Sequence, residues 1–143
     1  MKFIIINGPN LNLVGEREPD VYGSDSLDNY LNDLKQDHKE WNIELFQSNI
    51  EGELISKIQS SSALDGMIIN AGGYSHTSVG IRDAVKAAGI PTINVHISNP
   101  SQREDFRELD LLTDVCTGYI GGLGIKGYEM ACEVLEDQVK PSS

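Results

Sequence analysis

The fold of this chain is decided by residues 3–13, which read Phe-Ile-Ile-Ile-Asn-Gly-Pro-Asn-Leu-Asn-Leu. Four apolar residues, Phe3–Ile6, stop abruptly at the turn residues Asn7-Gly8-Pro9. A short apolar run bounded by turn residues predicts a buried strand. Because the next residues, as far as Gly23, are dense in polar and charged groups, we predict that this strand leads directly into an active-site loop.

Strand-like runs and helical patterns alternate along the rest of the chain. The predicted later strands are Ile43–Gln47, Met67–Ile69, Thr92–His96 and Val115–Ile120. The predicted helices carry apolar residues at helical spacing in Leu27–Leu34, Leu54–Ile58, Val79–Ala88 and Gly124–Val139. Strict alternation implies a parallel sheet covered on both faces. We predict one α/β domain over residues 1–143, a flavodoxin-like three-layer sandwich whose five strands run in the order 2-1-3-4-5.

Two serines are predicted to organise the starts of helices. Ser48-Asn49-Ile50-Glu51 has the form of a capping box ahead of the second helix. Ser78 has the position of an N-cap of the third helix, and a helix N-terminus attracts anions.

Composition excludes some functions and bounds others. The formal net charge is −11, which argues against a nucleic-acid surface because such surfaces need clustered Lys and Arg. No stretch approaches the roughly 20 apolar residues of a membrane span. The opening residues are too short to form a signal peptide. Cys116 and Cys132 lack metal-ligand spacing and are expected to be reduced packing residues of a cytoplasmic protein.

Chemically useful side chains follow three of the predicted strands, at the edge where a flavodoxin-like fold binds ligands. They are Asn10, Arg17 and Tyr22 after strand 1, Asn70 and His76 after strand 3, and His96, Ile97, Ser98, Arg103 and Arg107 after strand 4. Two of the three histidines of the chain lie at strand ends, which favours a functional interpretation. The third, His38, is expected to be structural and to lie inside a polar helix.

Local chemistry gives some of these residues provisional roles. An arginine near a phenol favours the phenolate, so Arg17 can make Tyr22 a usable base. The N–H groups of Ile97 and Ser98 could hold a carboxylate, with Arg107 pairing to it bidentately. The alternative for Arg103 and Arg107 is surface pairing with the neighbouring acidic residues 104, 105 and 108.

A glycine-rich motif near the end of the chain imitates a dinucleotide site. Gly122–Gly127 matches G-x-G-x-x-G after a strand and before a helix. A dinucleotide fold then needs another strand and an acidic residue about 20 positions on, for which the sequence leaves no room. We expect these glycines to form a tight turn and to let the last helix pack closely on the sheet.

Taken together, the motifs resemble the type II 3-dehydroquinases, which are 3-dehydroquinate dehydratases. The resemblance runs nearly from end to end. It is carried by Ile6–Leu13, Arg17-Glu18-Pro19, Val21-Tyr22-Gly23, Gln47-Ser48-Asn49, Glu51-Gly52, Gly73–Ser78, Arg82-Asp83-Ala84, His96–Asn99 and Arg103–Arg107.

The resemblance implies a role for each candidate residue. Tyr22 would be the base that removes the proton alpha to the ketone, with Arg17 lowering the proton affinity of the phenol. Asn10 would help to stabilise the enolate, and His96 would be the general acid that protonates the departing hydroxyl. The implied substrate-binding residues are Asn70, His76, Ile97, Ser98 and Arg107, together with Asp83, which reaches a neighbouring subunit's site.

The resemblance also implies an enzyme that needs no metal and no organic cofactor. Its implied partner is the small molecule 3-dehydroquinate, and its implied assembly is a homododecamer, a tetramer of trimers. Service in aromatic amino-acid biosynthesis and service in quinate breakdown both stay open.

One position departs from the family pattern near the predicted acid. The pattern usually has Glu at Asn94, two residues before His96 on the same face of a strand. Asn can orient the imidazole but offers no charge, so the sequence predicts an active but weakened or acid-shifted enzyme. The alternatives are a catalytically idle paralogue that binds a cyclic hydroxy-acid and a flavodoxin-like electron carrier. The electron carrier would need a hydroxyl-rich phosphate loop after strand 1, and this sequence has none there.

Overall fold

The computed structural model of the chain describes residues 1–15 and 26–140. Its five parallel strands are β1 (Phe3–Asn7), β2 (Ile43–Gln47), β3 (Gly66–Asn70), β4 (Thr92–His96) and β5 (Gly118–Gly121). Its helices are α1 (Leu27–Asp37), α2 (Glu51–Ser60), α3 (Val79–Ala88) and α4 (Lys126–Val139). The strands are ordered β2-β1-β3-β4-β5, which confirms the predicted topology.

Strand β1, which lies between β2 and β3, contributes to both hydrophobic cores of the molecule. All five of its residues are buried, because helices cover both faces of the sheet. Phe3 and Ile5 pack with α1 and α4 on one face. Ile4 and Ile6 pack with α2 and α3 on the other. A continuous apolar strand, rather than an alternating one, is what this three-layer arrangement requires.

The helix starts agree with the sequence at α3 and differ at α2. Ser78 is the N-cap of α3, and its side chain accepts a hydrogen bond from the Ile81 N–H at 3.0 Å. The predicted capping box at Ser48 is wrong, because the helix begins later, at Glu51. Ser48 instead accepts from the Ile50 N–H at 3.0 Å and donates to Glu53 at 2.5 Å, since a bend separates β2 from the helix.

The structure corrects three predictions: the start of the fifth strand, the start of the last helix and the position of His38. The fifth strand begins at Gly118 rather than Val115, because a 3-10 turn at Thr113–Val115 directs the Val115 N–H back to the Leu112 carbonyl. Helix α4 begins at Lys126, because Gly124 has a left-handed φ of 68°. His38 lies just after α1, where its ring stacks on Trp41 at 4.1 Å.

Both cysteines are free and packed, as the sequence predicts. Cys132 is a buried residue of α4, and Cys116 packs against the core on the α3 side. Burial raises the pKa of each thiol to about 12. Within residues 1–15 and 26–140, no helix combines the length and the apolar character needed to span a bilayer.

Candidate active site at the carboxyl edge of the sheet

A cleft of about 190 Å³ opens at the carboxyl ends of β1, β3 and β4. It lies beside the switch point between β1 and β3, where this topology is expected to bind ligands. Seven of the residues to which the resemblance gives a role line it, and so does the further candidate Arg103. The seven are Asn10, Asn70, His76, His96, Ile97, Ser98 and Arg107. Arg17 and Tyr22 lie outside the described residues. Asp83 is exposed on α3 and does not line the cleft, so its predicted role at a neighbouring subunit stays a prediction.

The turn after β1 places Asn10 at the cleft. The Gly8 N–H donates to the Asn70 carbonyl at 2.7 Å, and a Cβ at residue 8 would lie 2.4 Å from the Ala71 carbonyl oxygen. Only glycine permits this approach of two backbones. Asn10 then adopts a left-handed conformation, with φ of 70°, and its N–H donates to the Asn49 side chain at 3.0 Å.

A buried hydrogen-bond chain fixes the end of β3 against α4 and β1. The Asn70 amide donates to the Tyr128 hydroxyl at 2.9 Å, and that hydroxyl donates to the Asn7 side-chain oxygen at 2.6 Å. The Asn70 oxygen accepts from the Gly72 N–H at 3.2 Å. Asn70 is therefore held at the cleft wall by both halves of its amide.

His76 lies on the 3-10 turn Gly72–His76 that follows β3. Its Nδ1 is 2.6 Å from the Leu109 carbonyl oxygen, so Nδ1 carries the proton and donates. This hydrogen bond fixes the orientation of the ring. The ring stacks beside that of His96 with 6.3 Å between centroids, so these two histidines share one site, although His76 lies on the turn beyond β3.

His96 is backed by a carboxylate that the sequence reasoning did not find. Its Nε2 is 2.8 Å from Oδ2 of Asp110, and both side chains are largely buried. The Asn94 amide donates to that same oxygen at 2.9 Å. The prediction of a weakened or acid-shifted enzyme considered residue 94, which is neutral, and it stays a prediction. The structure adds that the loop residue Asp110 brings a negative charge to the imidazole.

The Asp110 carboxylate is held as an anion. Partial burial acts to raise its pKa, but hydrogen bonds from His96 and from the Leu112 N–H, with that from Asn94, outweigh burial and lower the pKa below its ordinary value. The Leu112 N–H donates to Oδ1 at 2.8 Å, so each carboxylate oxygen has a donor. A satisfied carboxylate can remain charged when it is partly buried.

The backbone after β4 forms a further polar wall. Ile97 is buried and its carbonyl accepts from the Gly124 N–H at 3.0 Å. Arg107 lines the cleft, and its Nε donates to Glu104 at 2.6 Å. The surface pairing that sequence reasoning offered as the alternative for Arg107 thus exists here, together with a place in the cleft.

Close packing of α4 explains the glycine motif that imitates a dinucleotide site. Gly122 and Gly124 have φ of 82° and 68°, which turn the chain from β5 into α4. A Cβ at Gly127 would lie 3.3 Å from Ile120 and 3.4 Å from Val95. The predicted turn and close helix–sheet contact are both confirmed.

Two contributors to the site escaped sequence reasoning, for different reasons. Asp110 lies in a loop far from any strand end, and only tertiary contact brings it to His96. Tyr128 was predicted to face the core, but its apolar neighbours gave no sign that its hydroxyl joins Asn7 to Asn70.

The fold and the cleft define a flavodoxin-like α/β protein whose polar pocket holds two imidazoles, one of them paired with a carboxylate. The sequence model of the family described as dehydroquinase class II matches residues 1–136 of the chain. Two relatives are each called 3-dehydroquinate dehydratase. That of Prochlorococcus marinus subsp. pastoris is 50% identical over 136 residues, which are 93% of each chain. That of Fusobacterium nucleatum is 50% identical over 137 residues, which are 92% of this chain and 93% of the relative.

A solved structure agrees with the sequence relatives. The type II dehydroquinase of Butyrivibrio crossotus superposes with a TM-score of 0.90 at 44% identity, over 95% of this chain and 97% of that one. The chain belongs to the class II dehydroquinase family.

Proposed function

We propose that the protein dehydrates 3-dehydroquinate to 3-dehydroshikimate by an anti elimination through an enolate. One observation carries the proposal. Seven residues that family resemblance assigns to this reaction line a single cleft at the carboxyl edge of the sheet. Family membership and relatives of about 50% identity support the same activity.

In the proposed reaction, Tyr22 as phenolate removes the proton alpha to the ketone, and Arg17 favours that phenolate. The electron pair moves into the enolate, whose oxygen Asn10 helps to stabilise. The enolate then collapses to the conjugated enone as the beta hydroxyl leaves. His96 donates a proton to that hydroxyl, so the leaving group is water. The steps balance with acids and bases alone, so the chemistry asks for no metal or organic cofactor.

The remaining cleft residues are proposed to bind the substrate. The N–H groups of Ile97 and Ser98 and the guanidinium of Arg107 would hold the carboxylate. Arg107 already binds a carboxylate, that of Glu104, which the substrate would replace. Asn70 and His76 would contact the hydroxyls, and their internal hydrogen bonds orient them before substrate arrives.

We also propose the family's assembly for this chain, a tetramer of trimers in which Asp83 reaches the site of a neighbouring subunit. Asp83 is exposed on α3, and Val79 on the same helix is an apolar side chain that is 58% exposed. An exposed apolar side chain on that helix fits burial against another copy.

The activity is tested by mixing the protein with 3-dehydroquinate and following the ultraviolet absorbance of the conjugated enone. We expect a rise with the wild type and, with either Tyr22→Phe or His96→Asn, a rate lower by about 100- to 10,000-fold. His38→Asn is the matched control, because His38 lies beside Trp41 rather than at the cleft and its loss leaves the rate unchanged.

The absence of any rise across pH would contradict the proposal and favour an idle paralogue. Titration of the same protein with 3-dehydroquinate by calorimetry would then show whether it still binds the cyclic hydroxy-acid. Full activity in Tyr22→Phe would overturn the assignment of the base.

A further inference from the structure

We propose that Asp110 is the positioning residue for His96, and that it supplies from a loop the carboxylate that the family pattern usually places on the strand at residue 94. The proposal rests on the proposed function, since it concerns how His96 is prepared to act as the acid. In this chain residue 94 is neutral, and the negative charge beside His96 comes from a loop residue instead of from the strand.

The contacts connect three side chains through one oxygen. Oδ2 of Asp110 lies 2.8 Å from Nε2 of His96 and 2.9 Å from Nδ2 of Asn94. Because the carboxylate is an anion, it accepts from both nitrogens, so Nε2 of His96 carries a proton. Nδ1 of His96 is then the ring nitrogen that can exchange a proton with substrate.

Of the described residues that hydrogen-bond to the Asp110 carboxylate, His96 is the one that lines the cleft. His96 lines the cleft, whereas Asp110 is not among its lining residues. The side chain of Asp110 is 13% exposed and that of His96 is 9% exposed, so little water screens the pair. Asp110 therefore orients the imidazole of His96 without itself lining the cleft.

The loop that carries Asp110 is anchored on both sides of the carboxylate. The Leu109 carbonyl accepts from His76, the Leu111 N–H donates to the Ser75 carbonyl at 2.7 Å, and the Leu111 carbonyl accepts from Arg82 at 2.8 Å. Leu112 is fully buried in the core on the α3 side. A residue held this way needs little reorganisation when the acid acts.

The arrangement also explains why Asn suits residue 94 in this chain. Asn94 is fully buried, and its amide donates to Asp110. A carboxylate at residue 94 would instead lie against that of Asp110, and two like charges in one site repel. Neutral residue 94 and charged residue 110 are therefore a matched pair.

Among the described residues around the pair, Tyr119 and Cys116 stay neutral in the assay range. Burial raises the pKa of Tyr119, whose ring lies 5.7 Å from that of His96, and the charge of Asp110 raises it further. Burial likewise raises the pKa of Cys116 to about 12. His76 beside His96, and the permanent charges of Arg103 and Arg107 at the cleft, stay the same in all variants below.

The test moves the carboxylate from one residue to the other. Four variants are compared with the wild type: Asp110→Asn, Asn94→Glu, the double variant of both, and Asp105→Asn, which removes the same charge from an exposed position of the same segment. For each, kcat, KM and the kcat–pH profile are measured with 3-dehydroquinate. The titration of the His96 ring is followed by NMR without substrate.

We expect Asp110→Asn to lower kcat about 10- to 100-fold, a part of the roughly 100- to 10,000-fold that a positioned acid contributes, with KM changed less than about twofold. The alkaline limb of its kcat–pH profile and the NMR midpoint move to lower pH, since the imidazolium loses its anion. Asn94→Glu alone is impaired by repulsion. The double variant recovers most of the activity, and Asp105→Asn matches the wild type.

The proposal is overturned if folded Asp110→Asn keeps the wild-type pH profile and NMR midpoint, or if the double variant is no better than Asp110→Asn. A wild type without dehydratase activity would defeat the proposed function instead. The NMR midpoint would still test the Asp110–His96 pair in that case, because it needs no turnover.

Discussion

At the scale of single residues, the departure at residue 94 shows that one sequence position does not define the charge around His96. Asn94 predicts a weakened or acid-shifted enzyme, because a neutral side chain two residues before His96 offers the imidazole no charge. The structure places Asp110 at the imidazole from a loop 14 residues further along the chain. A carboxylate can reach the imidazole of His96 from a loop as well as from the strand that carries the histidine.

The pH dependence of stability follows from the Asp110 interactions. Since the folded-state pKa of Asp110 lies below its ordinary value near 3.9, its contribution is present above that value and is lost as pH falls through the folded pKa. We therefore expect Asp110→Asn to cost stability at pH 7, with the cost shrinking below about pH 4. Urea unfolding at both pH values measures it.

The exposed Asp105 provides the comparison for that experiment. Asp105→Asn makes the same chemical change without the three hydrogen bonds that Asp110 accepts. We expect its free energy of unfolding to track the wild type at both pH values. An Asp110→Asn deficit that is equally large at pH 7 and well below pH 4 would contradict the linkage argument.

At the scale of elements, the crossing of the β1 and β3 turns sets the floor of the cleft. The chain leaves both strands at the same edge, and the Gly8 N–H bonds to the Asn70 carbonyl. The backbones of Gly8 and Ala71 are in direct contact, so the position of one turn fixes the position of the other. Asn10 and Asn70 are consequently placed together by backbone contacts rather than by their own side chains.

Gly8→Ala tests this crossing. A Cβ would meet the Ala71 carbonyl oxygen at 2.4 Å, and a backbone atom cannot swing aside as a flexible side chain would. We expect a loss of about 2–4 kcal/mol in the free energy of unfolding, measured in urea.

Gly52→Ala is the control for that variant. A Cβ at Gly52 meets nothing within 4 Å, and the residue lies in α2. The same substitution should stabilise the protein there by about 0.5–1 kcal/mol. Equal effects at residues 8 and 52 would refute the close approach.

At the scale of the whole molecule, the site is tied to the core by Tyr128. Its side chain is fully buried in the core formed with α1 and α4, yet its hydroxyl reaches Asn7 on β1 and Asn70 on β3. Through Tyr128, helix α4 is hydrogen-bonded to the ends of both β1 and β3. Tyr128 therefore contributes its ring to the core and its hydroxyl to the wall of the site.

Tyr128→Phe isolates the polar contact. The ring still packs, but the Asn7 oxygen and the Asn70 amide lose a buried partner, which costs about 1–3 kcal/mol. Tyr74→Phe removes a hydroxyl that donates to the Asn49 carbonyl at an exposed place, where water can replace it, and should cost less than about 1 kcal/mol. Thermal and urea unfolding compare the two, and equal costs would argue against the buried chain.

Sequence patterns predicted most of the architecture because they are local. Four buried β1 residues, the cap at Ser78 and the helical spacing of apolar residues each follow from near neighbours in the chain. Boundaries failed where a tertiary or turn interaction competes, as at Val115, whose N–H turns back to Leu112 rather than joining β5. The Ser48 box failed for a similar reason, because Glu53 rather than Glu51 meets the serine.

By itself the sequence determined the strand order, the sheet edge that carries the polar side chains, and the family resemblance. It could do so because hydrophobic periodicity and motifs depend on residues that are near one another in the chain. Only the tertiary structure decided that Asp110 backs His96, that Tyr128 links Asn7 to Asn70, and that Arg107 pairs with Glu104 while lining the cleft. Each of these depends on the distance and direction between side chains. For the Asp110 and Tyr128 contacts, folding sets that geometry by bringing together elements that are separate in the chain.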